Sequence, residues 1–186
     1  MEYARGHGYA VPRVERASGT DIVMERVEGP SMLADMARPP WTMAAHAATL
    51  ARLHEQLHEI LAPSWLERRL GTGDALLHLD PHPDNVLLTA AGPVVIDWPH
   101  AAAGPGAADV AHTWLVTATA TPPGARSRRA LAAVGRGFFL RRFLARFDRA
   151  EILAQLPTVA ERWLHDRNVG ETERERTARF LERVLA

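Results

Sequence analysis

The chain contains no cysteine and no lysine. The first absence excludes disulfides, thiolate metal sites and cysteine nucleophiles. The second excludes a Gly-x-x-x-x-Gly-Lys-Ser/Thr phosphate loop, so Gly71-Thr72-Gly73 reads as a plain connection. Net charge is lacking as well, since 22 arginines balance 22 acidic residues, and no global field favours nucleic acid or an anionic membrane. No apolar run approaches the ~20 residues that span a bilayer. Met1 to Val11 shows no basic-then-apolar leader pattern. Together these absences lead to the expectation of a cytoplasmic protein with neither nucleic-acid nor membrane partners. With 186 residues, no internal repeat and no low-complexity tract, the chain suits one domain with a substantial core.

What is present is concentrated between His78 and Trp98. The order is a polar loop, His78-Leu79-Asp80-Pro81-His82-Pro83-Asp84-Asn85, then Val86 to Thr89, a turn at Ala90 to Gly92, and Val94-Val95-Ile96 ending at Asp97. Two short apolar runs around a Gly-containing turn predict a buried hairpin. Such a hairpin brings Asp80 and Asn85 at its entrance near Asp97 at its exit. Two carboxylates and a carboxamide offer the hard oxygen ligands that Mg²⁺ prefers, with one carboxylate left over to handle a proton.

The spacing His78-x-Asp80-x-x-x-x-Asn85, with Asp97 twelve positions on, is that of a kinase catalytic loop followed by its metal-binding Asp. In detail the segment resembles the aminoglycoside phosphotransferase and choline kinase branch of the protein-kinase-like fold. That branch writes the loop as His-x-Asp-x-His-Pro-x-Asn and the metal Asp as Ile-Asp-Trp, and both forms stand here. The run Ala101 to Ala111, with Gly104-Pro105 and Asp109-Val110-Ala111, is similar to the family's next segment. The resemblance implies an α+β fold, mainly the helical C-terminal lobe with the catalytic-loop hairpin. It implies Asp80 as the catalytic base, Asn85 and Asp97 as Mg²⁺ ligands, and His78 and Asp109 as braces of the loop. ATP or GTP is the implied co-substrate and a small-molecule hydroxyl, aminoglycoside-like or an amino alcohol, the implied acceptor. His82 reads either as an ordering residue of the loop or as a transition-metal ligand, and Trp98 as packing beneath Asp97.

Upstream, Val11 to Ala17 and Asp21 to Val27 predict two strands around the turn Ser18-Gly19-Thr20. The resemblance makes Ile22 to Gly29 the last small-lobe strand and the hinge, where the Glu25 carbonyl and the Val27 N–H would pair with a purine edge. It divides the chain into a residual N-lobe hairpin and hinge, 1–29, and a kinase-like lobe, 30–186. A full member carries a phosphate-covering loop, a phosphate-binding Lys and a helix Glu before this point. Without them the chain reads as truncated at its start, and the residual hairpin should expose an apolar face. Two functions stay open: an impaired phosphotransferase, or a pseudokinase-like module that holds a ligand or partner without turnover.

The rest predicts helices. Pro39-Pro40-Trp41 precedes a long one whose apolar face runs from Met43 to Leu61, with Pro63 beyond its end. Within it, His54-Glu55-Gln56-Leu57-His58 also matches the zinc-protease pattern, though nothing nearby supplies a third ligand. Trp65 to Leu70 suggests a short helix. Further helices are expected over Val110–Ala118, Ser127–Phe147 (Leu131 among its buried contacts), Glu151–Gln155, Val159–Asp166 and Thr172–Leu185, with a break at Thr121 to Gly124. The dense arginines of the second read as a solvated face. Asp148, Glu151, Asp166 and Glu171 are either surface charges or carboxylates for a cationic acceptor.

Overall fold

The computed structural model describes residues 1–36, 42–120, 126–167 and 169–186, with backbone only for 126–131. The expected breaks at Pro39-Pro40-Trp41 and Thr121 to Gly124, and the side chain of Leu131, lie outside these residues. The fold is α+β. In order the elements are α1 (Glu2–Gly6), β1 (Val14–Ser18), β2 (Asp21–Met24), α2 (Met32–Met36), α3 (Thr42–His58), β3 (Ala75–Leu77), β4 (Val86–Thr89), β5 (Gly92–Val95), β6 (Ala102–Gly104), α4 (Gly106–Thr119), α5 (Arg126–Leu144), α6 (Arg149–His165) and α7 (Glu171–Leu185). The strands form three antiparallel pairs, β1 with β2, β3 with β6, and β4 with β5.

The core lies among α3, α4, α5 and α6, where Leu50, Leu57, Leu115, Phe139, Phe143, Ile152 and Leu156 are shut off from water. The helical spacing of Leu50, Leu53 and Leu57 buries one stripe of α3, as a 3.6-residue period requires. The N-terminal segment joins this core. Ala4, Tyr9 and Val11 are buried, Tyr9 donates its hydroxyl to the Leu53 carbonyl, and the Ala10 carbonyl accepts from Val95 N–H. That is why β1 starts at Val14 and not at Val11: Val11 and Pro12 are drawn inward before the strand can pair. The β1–β2 hairpin itself is exposed, with Ile22, Val23 and Met24 open to solvent, as the sequence led one to expect.

Several boundaries differ from the sequence reading. α3 stops at His58 because residues 60–62 run beside β3: Leu76 N–H donates to the Ile60 carbonyl and Ala62 N–H to the Asp74 carbonyl. Leu61 therefore lies outside the apolar face and is 69% exposed. Trp65 to Leu70 is no helix, since Arg68 bridges Ala103 and the Glu67 carbonyl accepts from Ala103 N–H. α6 is one helix, not two. Pro157 sits inside it on the exposed side and leaves out only the one N–H that would bond the Leu153 carbonyl. Its N-terminus is capped by the Asp148 carboxylate, which accepts from Ala150 and Glu151 N–H. β4–β5 is half-buried; only Val86 and Val95 are fully covered.

The exit from the β1–β2 hairpin crosses the β4–β5 hairpin at Gly29. Its φ is +153°, and a Cβ there would lie 2.2 Å from the Leu88 carbonyl oxygen. Leu88 N–H donates to the Pro30 carbonyl immediately after the crossing. Gly29→Ala is expected to cost ~2 kcal/mol or more, since backbone must separate and the φ is strained. Urea unfolding checks this through a lowered midpoint at constant slope. An unchanged midpoint would mean the crossing opens without cost.

Candidate active site

Everything in the loop from His78 to Asn85 is held from two sides. From below, the fully buried Asp109 on α4 accepts from His78 N–H at 3.1 Å and from Leu79 N–H at 2.6 Å. His58 Nε2 reaches the same carboxylate at 3.2 Å. Burial alone would raise the Asp109 pKa; the His58 hydrogen bond and the field of the neighbouring histidines outweigh it, holding the carboxyl well below its usual range. From the side, His78 Nε2 donates to the Ile96 carbonyl at 2.9 Å, and its Nδ1 accepts from Asp80 N–H at 3.2 Å. This assigns the neutral tautomer, in keeping with a pKa that burial pushes down to about 4. His78 thereby links the loop to the exit of β5.

Two residues of the site sit in the left-handed region without being glycine: Leu79 at φ +61° and Asp97 at φ +66°. Such backbone costs ~1–3 kcal/mol and persists only where neighbours over-determine it. At Leu79 the short bond to Asp109 does so.

Asp80, Asn85 and Asp97 are brought together. Asn85 Nδ2 donates to the Asp80 backbone carbonyl at 2.9 Å and to its Oδ2 at 3.1 Å. The Asn85 carbonyl accepts from Ile96 N–H, which places the start of β4 beside the residue preceding Asp97. With both amide bonds directed at Asp80, Asn85 keeps its Oδ1 for another partner. The Asp97 carboxylate makes no hydrogen bond or ion pair among the described residues. An amide oxygen and a free carboxylate are the donor set that suits Mg²⁺, which takes one or two protein oxygens and completes its shell with phosphate and water. The Asp80 pKa is raised, first by burial and also by the charge of Asp97, while His82, His100 and the Asn85 bond pull it back.

His82 is an ordering residue. Its Nδ1 accepts from Asp84 N–H, capping the 3₁₀ turn Pro83–Asn85, and its Nε2 stands 3.5 Å from Asp80 Oδ1. Trp98 is buried, donates Nε1–H to the Val95 carbonyl, and lies 4.4 Å from the His78 ring and 5.9 Å from Tyr9. Glu25 and Val27 stand apart from this group, on the exit of the exposed hairpin. Glu25 N–H donates to the Arg13 carbonyl, but neither the Glu25 carbonyl nor the Val27 N–H has a backbone partner among the described residues. Their segment reaches the loop through Ser31, whose Oγ donates to Asp84 Oδ1 at 2.7 Å.

The zinc-protease pattern does not make a metal site. His54 spends both ring nitrogens, on the Leu50 carbonyl and on Thr113 Oγ1, and His58 is committed to Asp109. Ser31, His100, His112 and Arg162 carry parts of the site that the sequence reading did not single out. His58 was noticed as half of the zinc pattern, not as a partner of Asp109, which lies 51 positions away. Of the four acidic residues considered for an acceptor, Asp166 alone lines the cleft beside Asp80, and Asp148 is the α6 cap.

Comparison with known proteins adds to this geometry. Residues 24–147, about two-thirds of the chain, match the model of the phosphotransferase enzyme family. No curated protein sequence matches. Among solved structures, an aminoglycoside-3'-phosphotransferase of type VIII is similar over 95% of this chain and 74% of its own, with a TM-score of 0.50 and 19% identity. At that identity the likeness speaks for the fold alone. With the family model spanning the hinge segment, the loop and the helices up to Phe147, the chain belongs to the phosphotransferase enzyme family and has the kinase-like fold of the aminoglycoside phosphotransferases.

Proposed function

We propose that the chain transfers the γ-phosphate of ATP or GTP to a hydroxyl of a small molecule. The observation that carries this reading is the Asp80–Asn85 pair beside Asp97: one carboxylate of raised pKa, one amide oxygen and one free carboxylate at a single loop. Asp80 is the catalytic residue, orienting the acceptor hydroxyl and taking its proton as the new O–P bond forms and the bond to the β-phosphate oxygen breaks. Asn85 and Asp97 would hold Mg²⁺, which supplies charge neutralisation for the nucleotide phosphates. His78 and Asp109 are positioning residues that fix the strained loop. The Glu25 carbonyl and Val27 N–H, lacking backbone partners, are suited to a purine edge. In this reading residues 1–29 are the N-terminal-lobe hairpin with its hinge and 30–186 the kinase-like lobe.

One observation favours a second reading. The hairpin leaves Ile22, Val23 and Met24 bare. A pseudokinase-like module that holds a partner on that face without turnover accounts for it.

A thermal-shift titration with ATP and GTP, with and without Mg²⁺ and beside Asp97→Ala, tests the site. Ligand at 100 times its dissociation constant stabilises by ~2.7 kcal/mol. The expected result is a shift that needs Mg²⁺ and disappears in Asp97→Ala. No shift in the folded parent chain would defeat the nucleotide site.

A further inference from the structure

Beside Asp80 a cleft opens between α4 and α6, lined by Leu79, Asp80, His100, His112, Arg162, Trp163 and Asp166. Three of these walls carry a buried polar atom with no hydrogen-bond partner: His112 Nδ1, Arg162 Nη1 and Trp163 Nε1. Elsewhere among the described residues only Thr117 Oγ1 and Thr177 Oγ1 share that condition. The concentration at one cleft is the point, because buried polar groups are normally satisfied and each exception calls for a cause.

Two of the three orphaned atoms, the guanidinium and indole nitrogens, can only donate, and the third can donate. Burial holds His112 neutral at ordinary pH, and its orphaned Nδ1 is a third donor in the tautomer that protonates that nitrogen. Arg162 forms no ion pair among the described residues; its Nη2 lies 3.5 Å from His100 Nδ1. The Trp163 ring meets His112 edge-on at 5.5 Å, which fixes both rings across the helix interface. A permanently charged fork and two ring donors without acceptors form a receptor for an oxyanion. Asp80 repels an anion from its side of the cleft, and Asp166 also lines it; the three donors of α4 and α6 set where an anionic end would sit, leaving the neutral hydroxyl end toward Asp80.

We propose that this cleft selects the phosphoryl acceptor and that the acceptor is an anionic alcohol, its carboxylate or phosphate group seated on Arg162, Trp163 and His112. The inference rests on the phosphotransfer reading for the role of the hydroxyl, but the oxyanion seat is testable without nucleotide. It runs opposite to a cationic acceptor held by Asp166.

Isothermal titration of the whole chain with glycerate and with glycerol 3-phosphate, against ethanolamine and kanamycin, provides the test. The two anions separate a carboxylate seat from a phosphate seat. At least one should bind, and Arg162→Gln should weaken it ~10–100-fold, as expected for hydrogen bonds to a charged group. Trp163→Phe keeps the ring and removes the donor; it should weaken binding ~3–10-fold while leaving the melting temperature of the free protein unchanged or higher, because no hydrogen bond is lost. The proposal is overturned if neither anion binds, if both substitutions leave binding untouched, if ethanolamine or kanamycin binds instead, or if Trp163→Phe alone destabilises the free protein, which would give Nε1 a structural partner. A missing Mg²⁺–nucleotide shift with anion binding intact would sink the phosphotransfer reading and leave the seat standing.

Discussion

Asp80→Asn is expected to lower the phosphoryl-transfer rate by ~10²–10⁴-fold, the usual contribution of a positioned general base, while the Mg²⁺–nucleotide thermal shift persists. The substitution is nearly isosteric. An amide at residue 80 can still present an oxygen to Asn85 Nδ2, and the second Asn85 bond goes to a backbone carbonyl that the change does not touch. What disappears is the negative charge and its proton affinity. The parent enzyme should show an acid limb in its pH–rate profile above the ordinary Asp value of ~3.9, because burial and Asp97 raise the pKa of Asp80 and the base works only when ionised. In the variant any acid fall that remains should track the loss of folded protein, followed by circular dichroism, and not a titration of residue 80. Asp84→Asn is the companion measurement: Asp84 is exposed and holds Ser31, so its loss should change the rate by only a few-fold. If Asp80→Asn retained the rate within ~3-fold and kept its acid limb, the proton would have to leave by another route, and Asp80 would be reduced to a positioning residue.

The loop and hairpin were legible because their signals are local. Val86 and Val95 bracket a turn of the right length, and their pairing alone brings Asn85 beside Ile96 and Asp97. Polar spacing within eight residues likewise places Asp80 against Asn85. The exposed hairpin was also foreseen: Ile22, Val23 and Met24 pair with β1 and stay open to solvent. Where the reading went astray, a distant contact decided the matter. Ile60 to Ala62 leave the helix because β3 offers them backbone partners, and nothing in their composition announces it. Trp65 to Leu70 has acceptable helix propensity but is drawn out beside β6. Propensity is a weak prior that such pairing overrides. Pro157 misled in the other direction: its helix-breaking character is tolerated on an exposed face. The Arg162 cleft was least legible of all. Its walls come from positions 80, 100, 112 and 162–166, and an arginine on a charged helix looks like any other until its partners are found missing.

The same buried polarity makes the fold acid-labile. His54, His78 and His112 are enclosed, and burial pushes the first two down to about 4 and the third to about 3. In the unfolded chain each titrates near ~6.5. Between those values the unfolded state holds up to three protons that the native state refuses, so stability must fall as pH falls, by up to ~4 kcal/mol per pH unit for three such groups. Asp109 acts in a lower window. Its native pKa is depressed, so its contribution is present above ~3.9 and is lost only as pH drops below that. A domain at the lower end of the typical ~5–15 kcal/mol should therefore unfold near pH ~5, while Asp109 is still ionised, because the three shifts together remove ~6 kcal/mol by pH ~5 and ~9 kcal/mol by pH ~4. Urea unfolding at several pH values between 7 and 5 gives the proton uptake directly as the slope of stability against pH. The expected uptake approaches three protons at the acid end and drops by about one in His54→Gln, since the His54 ring, bonded to Leu50 and Thr113, has no role at the loop that a neutral amide would disturb. A flat profile from pH 6.5 to 5 would mean that water or charge reaches these rings in the native state, and the tautomer assigned to His78, with the loop geometry that depends on it, would have to be abandoned.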